Sequence, residues 1–213
     1  MKKTLLTSAA AAVTCLTVTG CLSAASFVMA QTPPPSTNPA IVQAGSYGVE
    51  PSHTRVQFSV LHMGFTDYWG DFTGVSGKLD LDPKAPAASH ISVSIPTASV
   101  TTTNARLDGE LKGNQWLDAT AFPTMTFTST KVTPTGPTSA TITGDLTLHG
   151  VTHPVTLEAK FNAAGPNPMN RKYSLGFNAT GHLNRSEFGV KAFVPVVSDR
   201  VDIKISAAFE KNG

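Results

Sequence analysis

The stretch Ser139–Phe161, SATITGDLTLHGVTHPVTLEAKF, constrains the fold more than any other part of the chain. Ala140, Ile142, Leu146 and Leu148 alternate with Thr141, Thr143, Asp145, Thr147 and His149. Beyond Gly150, Val155, Leu157, Ala159 and Phe161 alternate with Thr156, Glu158 and Lys160. Strand side chains point to opposite faces at every second residue, so each arm has one apolar and one wet face. Two such arms joined through a Gly-containing turn predict a β-hairpin.

The same period of two recurs along the chain. Val56, Phe58 and Val60 predict a strand within 53–63. Val75, Leu79 and Leu81 predict another over 71–82, with a bulge or tight bend at Gly74 and Gly77. Ile91, Val93 and Ile95 follow, then Met125 and Phe127, then the hairpin. Tyr173, Leu175, Phe177, Ala179 and Leu183 mark a further strand, and Val201, Ile203, Ile205, Ala207 and Phe209 the last. Between the first two, Gly64–Gly70 is expected to be a loop carrying Phe65, Tyr68 and Trp69. Residues 99–121 break the pattern. Asn104 can cap a short helix ended by Gly113, and Asn114 can cap a second short one carrying Trp116 and Leu117.

About eight strands without alternating helices belong to an antiparallel sheet with one wet face. Closing such a sheet removes its edges. The expected fold is therefore all-β: an eight-stranded antiparallel up-and-down barrel with two short helices between strands, a sandwich being the alternative. An eight-stranded barrel is filled by its side chains or holds one ligand. Small inward positions (Ala140, Gly144, Ala159, Ala179, Ala207) leave room, but the two readings stay balanced on these residues alone.

The ends of the chain are of another kind. Residues 1–30 combine Lys2 and Lys3, an apolar small-residue run and Val28-Met29-Ala30, the pattern of a cleaved secretory signal. The rival reading is lipidation at Cys21 within Val18-Thr19-Gly20-Cys21, although Leu22–Ala30 stays apolar where a lipoprotein turns polar. Residues 31–44 are a Pro-rich spacer expected to be extended and mobile, and 45–213 the folded domain. Cys15 and Cys21 are the chain's two cysteines, so a chain cut after Ala30 has no disulfide or Cys-based metal or redox site. Without Lys2 and Lys3 the sixteen Lys and Arg become fourteen, equal to the fourteen Asp and Glu. A neutral domain without a basic stripe is a poor nucleic-acid binder.

Catalytic and metal patterns are weak. There is no G-x-S-x-G; Gly74-Val75-Ser76-Gly77 has the wrong spacing. His149 and His153 straddle a turn and read as wet-face histidines rather than a ligand pair. Asp108 and Glu110 fit an exposed helix start. Arg185 is expected to pair with a carboxylate, the alternative being contact with a polar ligand head.

GDLTLHGVTHPVTLEAKF, with HTRVQFSVLHMGF, WLDATAFPTMTFTST and LNRSEFGV, resembles the YceI-like polyisoprenoid-binding proteins from about Tyr47 to Phe209. In one place the chain departs from the pattern. Where the family commonly carries Arg-Asp-x-His-Leu, this sequence has Leu107-Asp108-Gly109-Glu110-Leu111, with Glu110 in place of His. The resemblance implies a secreted, periplasmic, lipocalin-like extended barrel holding a long isoprenoid, such as a prenyl quinone or its precursor. It implies neither catalysis nor a cofactor, and a transient contact with the membrane. The residues expected to line the cavity are Phe58, Val60, Val93, Ile95, Met125, Phe127, Leu146, Leu148, Leu157, Phe161, Leu175, Phe177, Ile203 and Ile205. The segment Leu107–Leu117 or the aromatic loop Phe65–Trp69 is expected to close the mouth. An enzyme acting on a lipid within the barrel, or a filled structural barrel, are the competing readings.

Overall fold

A computed structural model describes residues 33–212; the expected signal segment lies outside them. Ten strands occupy eight positions of one closed antiparallel sheet. The first position is shared by β1 (Gly45–Val49) and β2 (Arg55–His62), the second by β3 (Thr66–Phe72) and β4 (Ser76–Leu81). Then come β5 (His90–Pro96), β6 (Thr124–Gly136), β7 (Ser139–Leu148), β8 (Val151–Pro166), β9 (Tyr173–Asn184) and β10 (Arg200–Lys211). The last strand closes the ring by pairing with both halves of the first position, Val49 opposite Phe209 and Val56 opposite Ile205.

The splits have local causes. Between β1 and β2 the chain bulges over 50–54 and is stitched to Ala208, which exchanges bonds with the amide of Glu50 (2.8 Å) and the hydroxyl of Thr54 (3.0 Å). Between β3 and β4 Gly74 takes φ +67°, and Gly77 at the start of β4 takes φ +137°, conformations that side chains with a Cβ avoid. A Cβ on Gly77 would also meet the Ser92 carbonyl at 2.2 Å. The bend expected there is therefore a strand break.

The segment 64–70 is corrected from loop to strand: only Met63–Phe65 turns, and β3 pairs with β2 along seven residues. The alternation in β3 is Tyr68, Gly70, Phe72. Gly70 hides it, because the Phe58 ring of the facing strand occupies the space where its side chain would stand. The central hairpin follows the sequence reading. Ala140 faces Ala159, Ile142 faces Leu157, and the two-residue turn His149-Gly150 has φ +53° and +74°, the mirror-image turn that suits twisted strands.

One α-helix is present among the described residues rather than two: α1, Ala105–Lys112. The Asn104 side chain caps it by accepting from the Leu107 amide (3.3 Å), and Gly113 ends it. The expected second helix is a turn. Its Leu117 amide bonds back to the Leu111 carbonyl at 3.1 Å, and Asp118 at φ +44° prevents continuation.

The described part of the Pro-rich stretch lies along the barrel rather than trailing from it. Ser36 and Ala164 exchange backbone bonds of 2.8 and 2.9 Å, and Val42 is buried. Val42 joins Tyr47, Leu79, Phe161, Leu175 and Phe209 in a compact cluster at this end. Burial there pushes the Tyr47 hydroxyl up to about 12.

Candidate functional site

Strand alternation turns one apolar face inward on every strand, and the enclosed space is not filled. Two chambers of about 410 and 680 Å³ run through the barrel, within the range of ligand cavities. Their walls share Val56, Ile95, Leu146 and Ile203, so they adjoin at a waist made by β2, β5, β7 and β10. We refer to the chamber beside α1 as upper and the one beside β1 and β4 as lower.

Of the residues singled out in the sequence, Phe58, Val60, Met125 and Leu148 line the upper chamber. Val93, Phe127, Leu157, Phe161, Phe177 and Ile205 line the lower one, and Ile95, Leu146 and Ile203 the waist. Leu175 is the exception, packed nearly fully buried in the cluster with Tyr47 and Phe209. Ala140, Ala159, Ala179 and Ala207 do border the lower chamber. Gly144 makes no room, because the Phe127 ring already stands over it, 2.4 Å from an ideal Cβ.

The upper chamber owes much of its wall to residues that strand periodicity cannot flag. Leu107 and Leu111 of α1, then Trp116 and Leu117, cover one side; Val190, Phe193, Val196 and Val197 cover another. Tyr68 contributes to the wall, while Phe65 and Trp69 are exposed. Their four-residue spacing on α1 was the available signal for Leu107 and Leu111.

What holds α1 against the barrel is Asp108. Its Oδ1 accepts from the Thr102 amide (2.6 Å) and hydroxyl (2.7 Å), and its Oδ2 from the Thr101 hydroxyl (3.1 Å). The Thr102 hydroxyl is the leading cause of an Asp108 carboxyl held below its ordinary value. Stability from a depressed carboxyl is present above its unfolded pKa and lost as pH falls through the folded one. The protection of α1 amides relative to their intrinsic exchange rates should therefore fall below about pH 4, and Asp108→Asn should lower it at pH 7. Unchanged protection in both cases would contradict the anchoring role. Glu110 borders the same chamber and pairs with Arg106 at 3.1 Å.

Arg185 is 96% buried (4% exposed) and borders the upper chamber. It is not paired with a carboxylate as expected. Its Nε, Nη1 and Nη2 each donate at 2.9 Å to the carbonyls of Ser198, Val190 and Val197. The Trp116 ring lies 5.3 Å from the guanidinium carbon. Burial draws the Arg185 pKa below its usual value, against the opposing field of Asp199.

The histidines do not form a ligand pair. His149 sits in the hairpin turn against Phe122, ring centroids 4.7 Å apart. His153 is corrected from the wet face: it shares the inward phase of Val151 and Val155 and meets Phe188 edge-on at 5.3 Å. Among the described residues no three His, Cys, Asp or Glu side chains are grouped to hold a metal.

A closed eight-position antiparallel barrel with an apolar, chambered interior is the architecture of barrel proteins that enclose a small molecule. The family model described as the YceI-like domain matches residues 47–209, and the chain belongs to that family. It is 41% identical over 157 residues to Protein YceI of Shigella flexneri, covering 74% of this chain and 81% of that one. Among solved structures it resembles the Campylobacter jejuni YCEI protein, with a TM-score of 0.64, 27% identity, and 71% and 90% of the two chains covered. A polyisoprenoid-binding domain from Saccharophagus degradans shares the fold, with a TM-score of 0.58, 12% identity, and 80% and 100% covered.

Proposed function

We propose that this protein binds a long-chain isoprenoid or related lipid, such as a prenyl quinone or its precursor, and carries or stores it in the periplasm. It does so without catalysis and without a cofactor. The observation that carries the reading is the pair of apolar chambers meeting at Val56, Ile95, Leu146 and Ile203. A flexible hydrocarbon can thread such a space and a compact ligand has no use for it. The name of the S. degradans domain supports the same ligand class. A membrane is the source of such a lipid, and the rim at the upper mouth suits transient contact with one. There Met63, Phe193 and Val196 border the chamber, and Leu61 and Phe65, two residues to either side of Met63 in the chain, are exposed; aromatic side chains favour the membrane interface.

Titration with prenyl alcohols of ten, twenty and forty carbons tests this reading. At about 0.3 kcal/mol per carbon, each five-carbon unit is worth about tenfold in affinity. Affinity is expected to rise with each unit until both chambers are full. A plateau at ten carbons, or no binding of any of them, would overturn the proposal.

A further inference from the structure

Glu110 and Arg185 are the acidic and the cationic side chain in the wall of the upper chamber, and they differ in what surrounds them. Glu110 is half exposed and faces Arg106. Arg185 is buried, and no carboxylate lies within ion-pair distance of it among the described residues. Asp199 acts on it through its field alone, both oxygens being engaged by the amide (2.8 Å) and hydroxyl (2.7 Å) of Ser186.

A guanidinium has five N–H donors in a fixed plane and does not lose its proton in a protein. Three of these donors are spent on the carbonyls of Val190, Val197 and Ser198. One on each terminal nitrogen is left without an acceptor among the described residues. The three carbonyl bonds fix the plane, and Trp116 covers it. A buried charge without a contacting counter-ion is unfavourable until one arrives. N–H groups of a guanidinium donate strong charge-assisted bonds to the oxygens of a carboxylate or a phosphate.

Resting on the lipid-binding reading, the geometry points to Arg185 as the anchor for an anionic head group, a carboxylate or a phosphate. The head sits beside Trp116 in the upper chamber, and the tail passes the waist into the lower one.

The guanidinium must stay in place during the test, because removing it would orphan three buried carbonyls and unsettle the fold. The probes are therefore varied instead. The chain has two tryptophans, Trp69 and Trp116. A Trp69→Phe variant, altered at an exposed position, leaves Trp116 as the only fluorophore of its kind. Stearic acid carrying a doxyl quencher at carbon 5 is expected to quench Trp116 more strongly, at equal occupancy, than the acid carrying it at carbon 16. Stearate is expected to bind about tenfold or more tightly than stearylamine, the effect of one charge-assisted bond. Stronger or equal quenching from carbon 16, quenching by neither, or equal affinity of acid and amine would each overturn the assignment. The prenyl alcohols carry no anion, so their titration judges the lipid reading separately and the two failures are told apart.

Discussion

A Phe177→Asp variant is expected to fold and to emerge from purification without lipid. Phe177 lies on β9 in the wall of the lower chamber, half-buried, with its ring edge-on to Phe161 (5.6 Å) and Phe209 (6.0 Å). A carboxylate there keeps its charge only by drawing water into the chamber, and a wet chamber no longer rewards a hydrocarbon. The lost aromatic contacts should cost about 3 kcal/mol of stability. Phe177→Leu, which keeps the wall apolar, should retain lipid. The equivalent change at Phe127 is expected to be harsher on folding, since that ring is 6% exposed and also covers the bare backbone of Gly144. Lipid retained at the wild-type level by folded Phe177→Asp would remove this residue from the binding wall.

The second large effect is expected at the waist. Ile203 on β10 stands opposite Phe58 of β2 and Gly181 of β9 and borders both chambers. Gly181 offers no slack, because Leu157 already fills the space above it. An indole from Ile203→Trp must therefore project into the passage, at about 1–3 kcal/mol of overpacking. Confining a forty-carbon prenyl chain to one chamber withdraws ten or more carbons from contact, about 3 kcal/mol or a hundredfold in affinity. A ten-carbon chain, which fits in one chamber, should bind as before. Equal losses for both would mean that the change damaged the barrel, and no loss for the longer chain would mean that it does not cross the waist.

These effects fall on residues whose inward phase could be read in the sequence. Once a barrel has a single apolar face, the period of two assigns Phe177 and Ile203 to its inside without further information. The same logic fails where the inward residue is glycine. Gly70 made β3 look like a loop, and Gly144 looked like free space. In both places a neighbouring strand's phenylalanine supplies the missing side chain, and that becomes visible only once register is known. Leu175 shows the opposite failure. Its phase is right, but the phase does not say how far along the barrel the chambers extend, and Leu175 falls where Tyr47 and Phe209 have closed the space.

Helix α1 was legible from Asn104, Leu107, Leu111 and Gly113, whereas its docking through Asp108 to Thr101 and Thr102 depends on a turn that brings residues six and seven apart together. Arg185 was the least legible. Its three carbonyl partners come from the irregular 190–198 loop, and neither period nor spacing connects them to it. A cationic side chain in the polar NRSE segment suggests a carboxylate partner, and the carbonyls that replace it come together only when the loop closes over Arg185.

The most direct test of a lipid threaded through the barrel is mass spectrometry of the protein purified without detergent from its own cells. Measured intact and then after organic extraction, it is expected to carry one lipid per chain with a hydrocarbon portion too long for either chamber alone. Folded protein that emerges bare, or that carries only molecules small enough for a single chamber, would contradict it.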